Sequence, residues 1–123
     1  MIVVPSGKTI LKWAVNTFGE IALERNERAR RFAEEASELL QSVDLSREDF
    51  DAILDRVYFE PKGEPKREFG QTLLCLKALA QVEDVDENFE LIKEYERVTS
   101  IPKEVWLERH EKKANLGIAK HVK

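Results

Sequence analysis

The feature that most constrains this chain is the spacing of its apolar residues, which recur at helical intervals with little of the alternation a half-buried strand requires. Only five glycines and four prolines punctuate the 123 residues, too few for the repeated tight turns of an all-β fold. The pattern predicts an all-α helical bundle of about five to six helices. No repeat or low-complexity linker divides the sequence, so a single domain over 1–123 is expected.

The helices can be placed from their signals. Thr9 to Phe18 carries Ile10, Leu11, Trp13, Ala14 and Phe18, and Gly19 can end it by accepting positive φ. A longer second helix is expected from Ala22 to Val43. Ser46 precedes Arg47-Glu48-Asp49 and the apolar series Phe50, Ile53, Leu54 and Val57, an N-cap followed by first-turn acids. Glu60-Pro61-Lys62-Gly63-Glu64-Pro65 then forms a turn, and Arg67 to Val82, dense in Leu and Ala, makes a fourth helix. Asp86 can cap a fifth helix, whose apolar residues split between two sectors. Ile101-Pro102-Lys103-Glu104 starts a sixth with proline in its first turn. From Lys103 to Lys123 six Lys/Arg stand against three Glu, a local +3 expected on a solvated helix and tail.

Several function classes lose support on composition. With 20 Lys+Arg against 24 Asp+Glu and a net charge of -4, the chain does not resemble a general nucleic-acid binder, and no nucleic-acid partner is expected. No stretch approaches the roughly 18 apolar residues of a membrane span, so a soluble chain with no membrane partner is expected. Cys75 is the only cysteine, which rules out an intrachain disulfide, a CxxC pair or a cysteine-rich zinc site within one subunit. A cytoplasmic setting follows, with Cys75 expected as a buried small hydrophobe. A di-iron bundle would want Glu three residues before a ligand His, yet Leu107 precedes His110 and Ile118 precedes His121. Both histidines are expected at the surface. No Ser-His-Asp order, P-loop or GxGxxG fingerprint occurs.

The acids of the second helix carry the chemistry. Rotating by about 100° per residue from Glu34 places Glu38 near 40° and Glu35 near 100°, so three carboxylates share one sector. Phe32, Ala36, Leu39, Leu40 and Val43 fill about 140° to 240°, which puts the acids along the border of the core face. Like charges at i and i+4 repel, so something positive should answer Glu34 and Glu38. One answer is an exposed acidic face neutralised by Arg28, Arg30 and Arg31. The other is a metal ion shared with Glu68, which the same rotation places among Thr72, Cys75, Leu76 and Leu79 on a largely apolar stripe of the fourth helix. A carboxylate buried there without a partner would cost several kcal/mol. Oxygen-only ligation suits Mg²⁺, with Mn²⁺ as a substitute.

At these residues the sequence resembles the MazG-like, all-α nucleoside triphosphate pyrophosphohydrolases, in particular the compact single-domain type of phages and mobile elements. Glu27-Arg28, Arg31-Phe32 and Glu34-Glu35-x-x-Glu38-Leu39 look like the family's signature helix, and Gly63-Glu64-Pro65 with Glu68-Phe69-Gly70 looks like its second block. Trp13 and Thr17-Phe18-Gly19 resemble its opening segment. The resemblance implies a helical bundle completed as a homodimer or homotetramer, binding Mg²⁺ and cleaving a nucleoside triphosphate between its α and β phosphates. It further implies Glu35 and Glu38 as metal ligands, Glu34 as their accompanying acid and Glu68 as the first acid of an ExxD block. Gln71 departs from that block, standing where the family has Asp; its amide oxygen can ligate metal but brings no negative charge. On this reading Glu34 and Glu38 serve the reaction, Trp13 and Phe18 can stack on a base, and Arg28 and Arg31 can hold phosphate or pair with the glutamates beside them.

Overall fold

A computed structural model describes residues 3–122; Met1 and Ile2 of the opening apolar run, and Lys123 of the basic tail, lie outside it. Six α-helices occur among the described residues: α1 Gly7–Phe18, α2 Arg25–Ser42, α3 Arg47–Phe59, α4 Pro65–Val82, α5 Glu87–Ser100 and α6 Lys103–Asn115. A 3₁₀ turn, Gly19–Leu23, joins the first two, and these residues include no strand. The all-α expectation holds.

Local chemistry sets most of the boundaries. Ser6 Oγ accepts from the Thr9 amide at 3.1 Å, so α1 begins at Gly7, two residues earlier than its apolar pattern suggests. Gly19 closes it at φ 81°. The 3₁₀ turn that follows delays α2 to Arg25, so Ala22, expected at the head of the long helix, is buried in the turn with Ile21. Ser46 caps α3 as expected, accepting from the Asp49 amide at 3.0 Å. At α4 the cap is Glu64, whose Oε2 accepts from the Arg67 amide at 3.1 Å, and Pro65 opens the helix where its missing N–H costs nothing. Pro102 stands just outside α6, at the cap, and not within its first turn.

The chain falls into two compact units, Met1–Ser37 with Asn88–Lys123, and Glu38–Glu87; α2 runs from the first into the second. In the first unit Ala14, Thr17, Ile21, Ala22, Ala114 and Ala119 are buried. Beside these small residues the rings of Trp13, Phe18 and Trp106 meet edge to face, with centroids 5.6–6.2 Å apart. Trp106 Nε1 donates to the Val98 carbonyl at 2.9 Å, which satisfies its one polar atom.

The basic tail is not a solvated appendage. Arg30 Nη1 donates to the Gly117 carbonyl at 2.6 Å, and the Lys120 amide donates to Glu27 Oε2 at 3.0 Å. Lys120 Nζ meets Glu24 Oε2 at 3.0 Å. His110, expected at the surface, is buried: its Nε2–H bonds the Lys120 carbonyl and its ring lies 5.2 Å from that of Phe18. His121 is exposed, as expected. Two lysines of this stretch thus meet acids at a distance, Lys113 at Glu34 of α2 and Lys120 at Glu24 just before it.

The second unit has no comparable interior. Ala80 is its one residue buried outright, while Ile53, Val57, Leu73 and Leu74 are exposed. Cys75, expected inside, is exposed, because the stripe of α4 on which it sits is not covered. On α2, Phe32 in the first unit and Leu39 in the second, both expected on the core face, are exposed as well.

Candidate metal centre

Glu34, Glu35 and Glu38 project from one helix, α2, and a carboxylate oxygen of each lies within 4.8 Å of the others. The spacing that put them in one sector of the wheel therefore brings their charges together. Glu34 is half-buried, whereas Glu35 and Glu38 are exposed. Two cations lie against Glu34. Arg31 Nη1 lies 3.0 Å from Glu34 Oε1 as an ion contact without hydrogen-bond alignment, and Lys113 Nζ, from α6, donates to the same oxygen at 3.0 Å. Arg97 on α5 is held above its ordinary guanidinium value chiefly by its hydrogen bonds to Glu94, with Glu35 adding a smaller attraction.

The donor set fits a small hard cation. An octahedral ion with bonds of about 2.0–2.1 Å wants ligand oxygens roughly 3–4 Å apart, within reach of small rotations of three clustered carboxylates. Exposure of Glu35 and Glu38 leaves room for the waters Mg²⁺ keeps.

Glu68 and Gln71 lie on α4, one turn apart, and belong to the second unit. Both are exposed, so the burial penalty that argued for a shared cation at Glu68 does not arise in the single chain. The Glu68 side chain folds over Gly63, where an added Cβ would stand 3.1 Å from its Cδ and Oε1. Gly63 thus keeps space for this carboxylate at the head of α4.

The remaining predicted residues belong to the first unit. Trp13 and Phe18 are half-buried and engaged with Trp106 in the edge-to-face cluster. Arg28 is half-buried; desolvation pulls its guanidinium below the ordinary value, Glu27 opposes that pull and Arg31 adds to it. Sequence reasoning missed two residues. Lys113 reaches Glu34 from 79 positions away, and only its place in a basic run hinted at a role. Glu27, quoted only as part of a motif, is a fully buried carboxylate and the anchor of the tail.

Comparison with protein-family models, curated proteins and solved structures finds no match to this chain.

Proposed function

We propose that this chain is a Mg²⁺-dependent nucleoside triphosphate pyrophosphohydrolase, cleaving between the α and β phosphates to release a nucleoside monophosphate and pyrophosphate. The observation that carries this reading is the convergence of Glu34, Glu35 and Glu38 within 4.8 Å, with Arg31 and Lys113 each 3.0 Å from Glu34. Clustered carboxylates repel one another and are stabilised by a divalent ion, while neighbouring cations suit the polyphosphate that such an ion accompanies. The motif resemblance points the same way.

Glu35 and Glu38 would hold the ion, and Glu68 and Gln71 are the further ligands that the motif resemblance implies. Mg²⁺, or Mn²⁺ in its place, would supply neutralisation of phosphate charge and a more acidic water. Glu34 would orient the attacking water and take its proton as the water oxygen bonds to the α phosphorus. The bond from that phosphorus to the bridging oxygen breaks, and pyrophosphate leaves with the electron pair. Arg28 and Arg31 bind phosphate oxygens as charges that need no reorganisation. Trp13 and Phe18 offer aromatic surface to the base.

Pyrophosphate release from a panel of nucleoside triphosphates, with and without Mg²⁺, tests the proposal. Turnover should require Mg²⁺ and fall at least about 100-fold in Glu38→Gln. Equal turnover by the variant refutes the assignment. Gln71 favours a second reading, a helical nucleotide- or partner-binding module with weak catalysis, because an amide in place of a carboxylate weakens metal binding. That reading expects turnover to rise in Gln71→Asp from a negligible starting rate.

A further inference from the structure

Glu34, Glu35 and Glu38 carry the same chemical group on one helix, so something outside them must give Glu34 a task of its own. Burial and charge both single it out. Its side chain is 17% exposed, and one oxygen, Oε1, meets both Arg31 Nη1 and Lys113 Nζ at 3.0 Å. The two cations are not equivalent. Lys113 donates a hydrogen bond, whereas Arg31 Nη1 lies at contact distance without one. No comparable ion pair holds Glu35 or Glu38 among the described residues, and both are exposed.

Lys113 is held in place for this contact. It stands in the last turn of α6, where the Ile118 amide donates to its carbonyl at 3.1 Å and the Gly117 amide donates to the Ala114 carbonyl at 3.0 Å, with Gly117 at φ 79°. That pair of bonds closes the helix and turns the chain back. Beyond the turn the tail is fastened to α2, by Arg30 at the Gly117 carbonyl and by Glu27 at the Lys120 amide. The Lys113 stem therefore starts from backbone tied to the helix that bears Glu34, and its side chain is only 29% exposed. Pairing costs such an ammonium less conformational freedom than it costs a lysine on open surface.

An ammonium and a metal ion compete for one carboxylate oxygen, because the ammonium neutralises its charge and repels the ion. We infer that Lys113 is a positioning residue that withholds Glu34 from the metal's coordination shell, leaving Glu35 and Glu38 to ligate and the second Glu34 oxygen, Oε2, to face a water. The inference rests on the metal part of the proposed function and does not depend on which phosphate bond is cleaved.

Mn²⁺ titration of the full chain tests it, with electron paramagnetic resonance reporting affinity and water-proton relaxation reporting the waters left on the bound ion. Lys113→Met keeps the stem and removes the charge. It should bind Mn²⁺ about tenfold more tightly than the natural chain and with about one fewer water, because Glu34 joins the shell. Lys113→Arg, which keeps the charge, should match the natural chain in both readings. Adding Glu34→Ala to Lys113→Met should return the lost water, which simple removal of a repulsive charge would not require. Circular dichroism should show that the helices persist in each variant. Mn²⁺ uptake by Lys113→Met but not by the natural chain supports the inference and refutes only a metal-dependent activity. Equal affinity and water count in the natural chain and Lys113→Met overturn the inference and leave the activity standing; so does a double variant that keeps the low water count, or a Lys113→Arg chain that behaves like Lys113→Met. Mn²⁺ binding by none of the chains overturns both.

Discussion

At the scale of single residues the most informative side chain is Glu27, which is completely buried on a helix where its charged neighbours remain accessible. One oxygen accepts the Lys120 amide at 3.0 Å, and the other has no hydrogen-bond partner among the described residues. A buried carboxylate is tolerated only where it satisfies other polar groups, so its role is to seat the tail. Glu27→Leu keeps the volume but strands the Lys120 amide, and should lower stability by about 1–3 kcal/mol in urea unfolding. Faster exchange of the Lys120 amide hydrogen should accompany it; an unchanged urea midpoint would show the tail is held without Glu27. Glu34 differs in kind, since Arg31 and Lys113 stand beside it and its neighbours Glu35 and Glu38 are solvated.

At the scale of elements, caps and turns decide where helices begin and end. Gly19 adopts φ 81° and ψ -161°, a region essentially closed to residues with a Cβ. Gly19→Ala should therefore cost about 1–3 kcal/mol, read as a lowered thermal midpoint, although an added Cβ would meet no atom within 4 Å. The strain is in the backbone and not in the packing. Two other helix ends take positive φ without glycine: Asp44 after α2 at φ 70° and Asp84 after α4 at φ 57°. Backbone bonds from Leu45 to Leu40 and from Val85 to Ala80 close both turns. Ser46 and Gly19 were readable because their residue types announce their task. Asp44 and Asp84 were not, since aspartate more often marks a helix start than a helix end.

At the scale of the whole molecule, the contrast between the two units governs stability. The first closes around small residues and an aromatic cluster; the second leaves the apolar side chains of α3 and α4 exposed. If a second copy covers them, folding and association are linked, and the apparent Tm should rise by several degrees with a hundredfold increase in protein concentration. For Leu73→Lys, which places a charge among those side chains, it should be independent of concentration. A concentration-independent Tm in the natural chain would mean the hairpin is stable uncovered. Among the described residues no helix is long and apolar enough to cross a membrane.

The sequence by itself determined the all-α class, the order of the six helices and the meeting of Glu34, Glu35 and Glu38, because each depends on interactions within a few residues along one helix. Helical periodicity and hydroxyl caps are local, and local physics can be read from a string of letters. Tertiary structure alone decided which cation answers Glu34 from α6, that His110 and Glu27 are buried, and that Glu68 and Cys75 are exposed. Those outcomes turn on which distant surfaces cover one another. The wheel that grouped Glu68 with apolar neighbours was correct about the face of α4, but burial of that face requires a second surface, which no periodicity within α4 can supply.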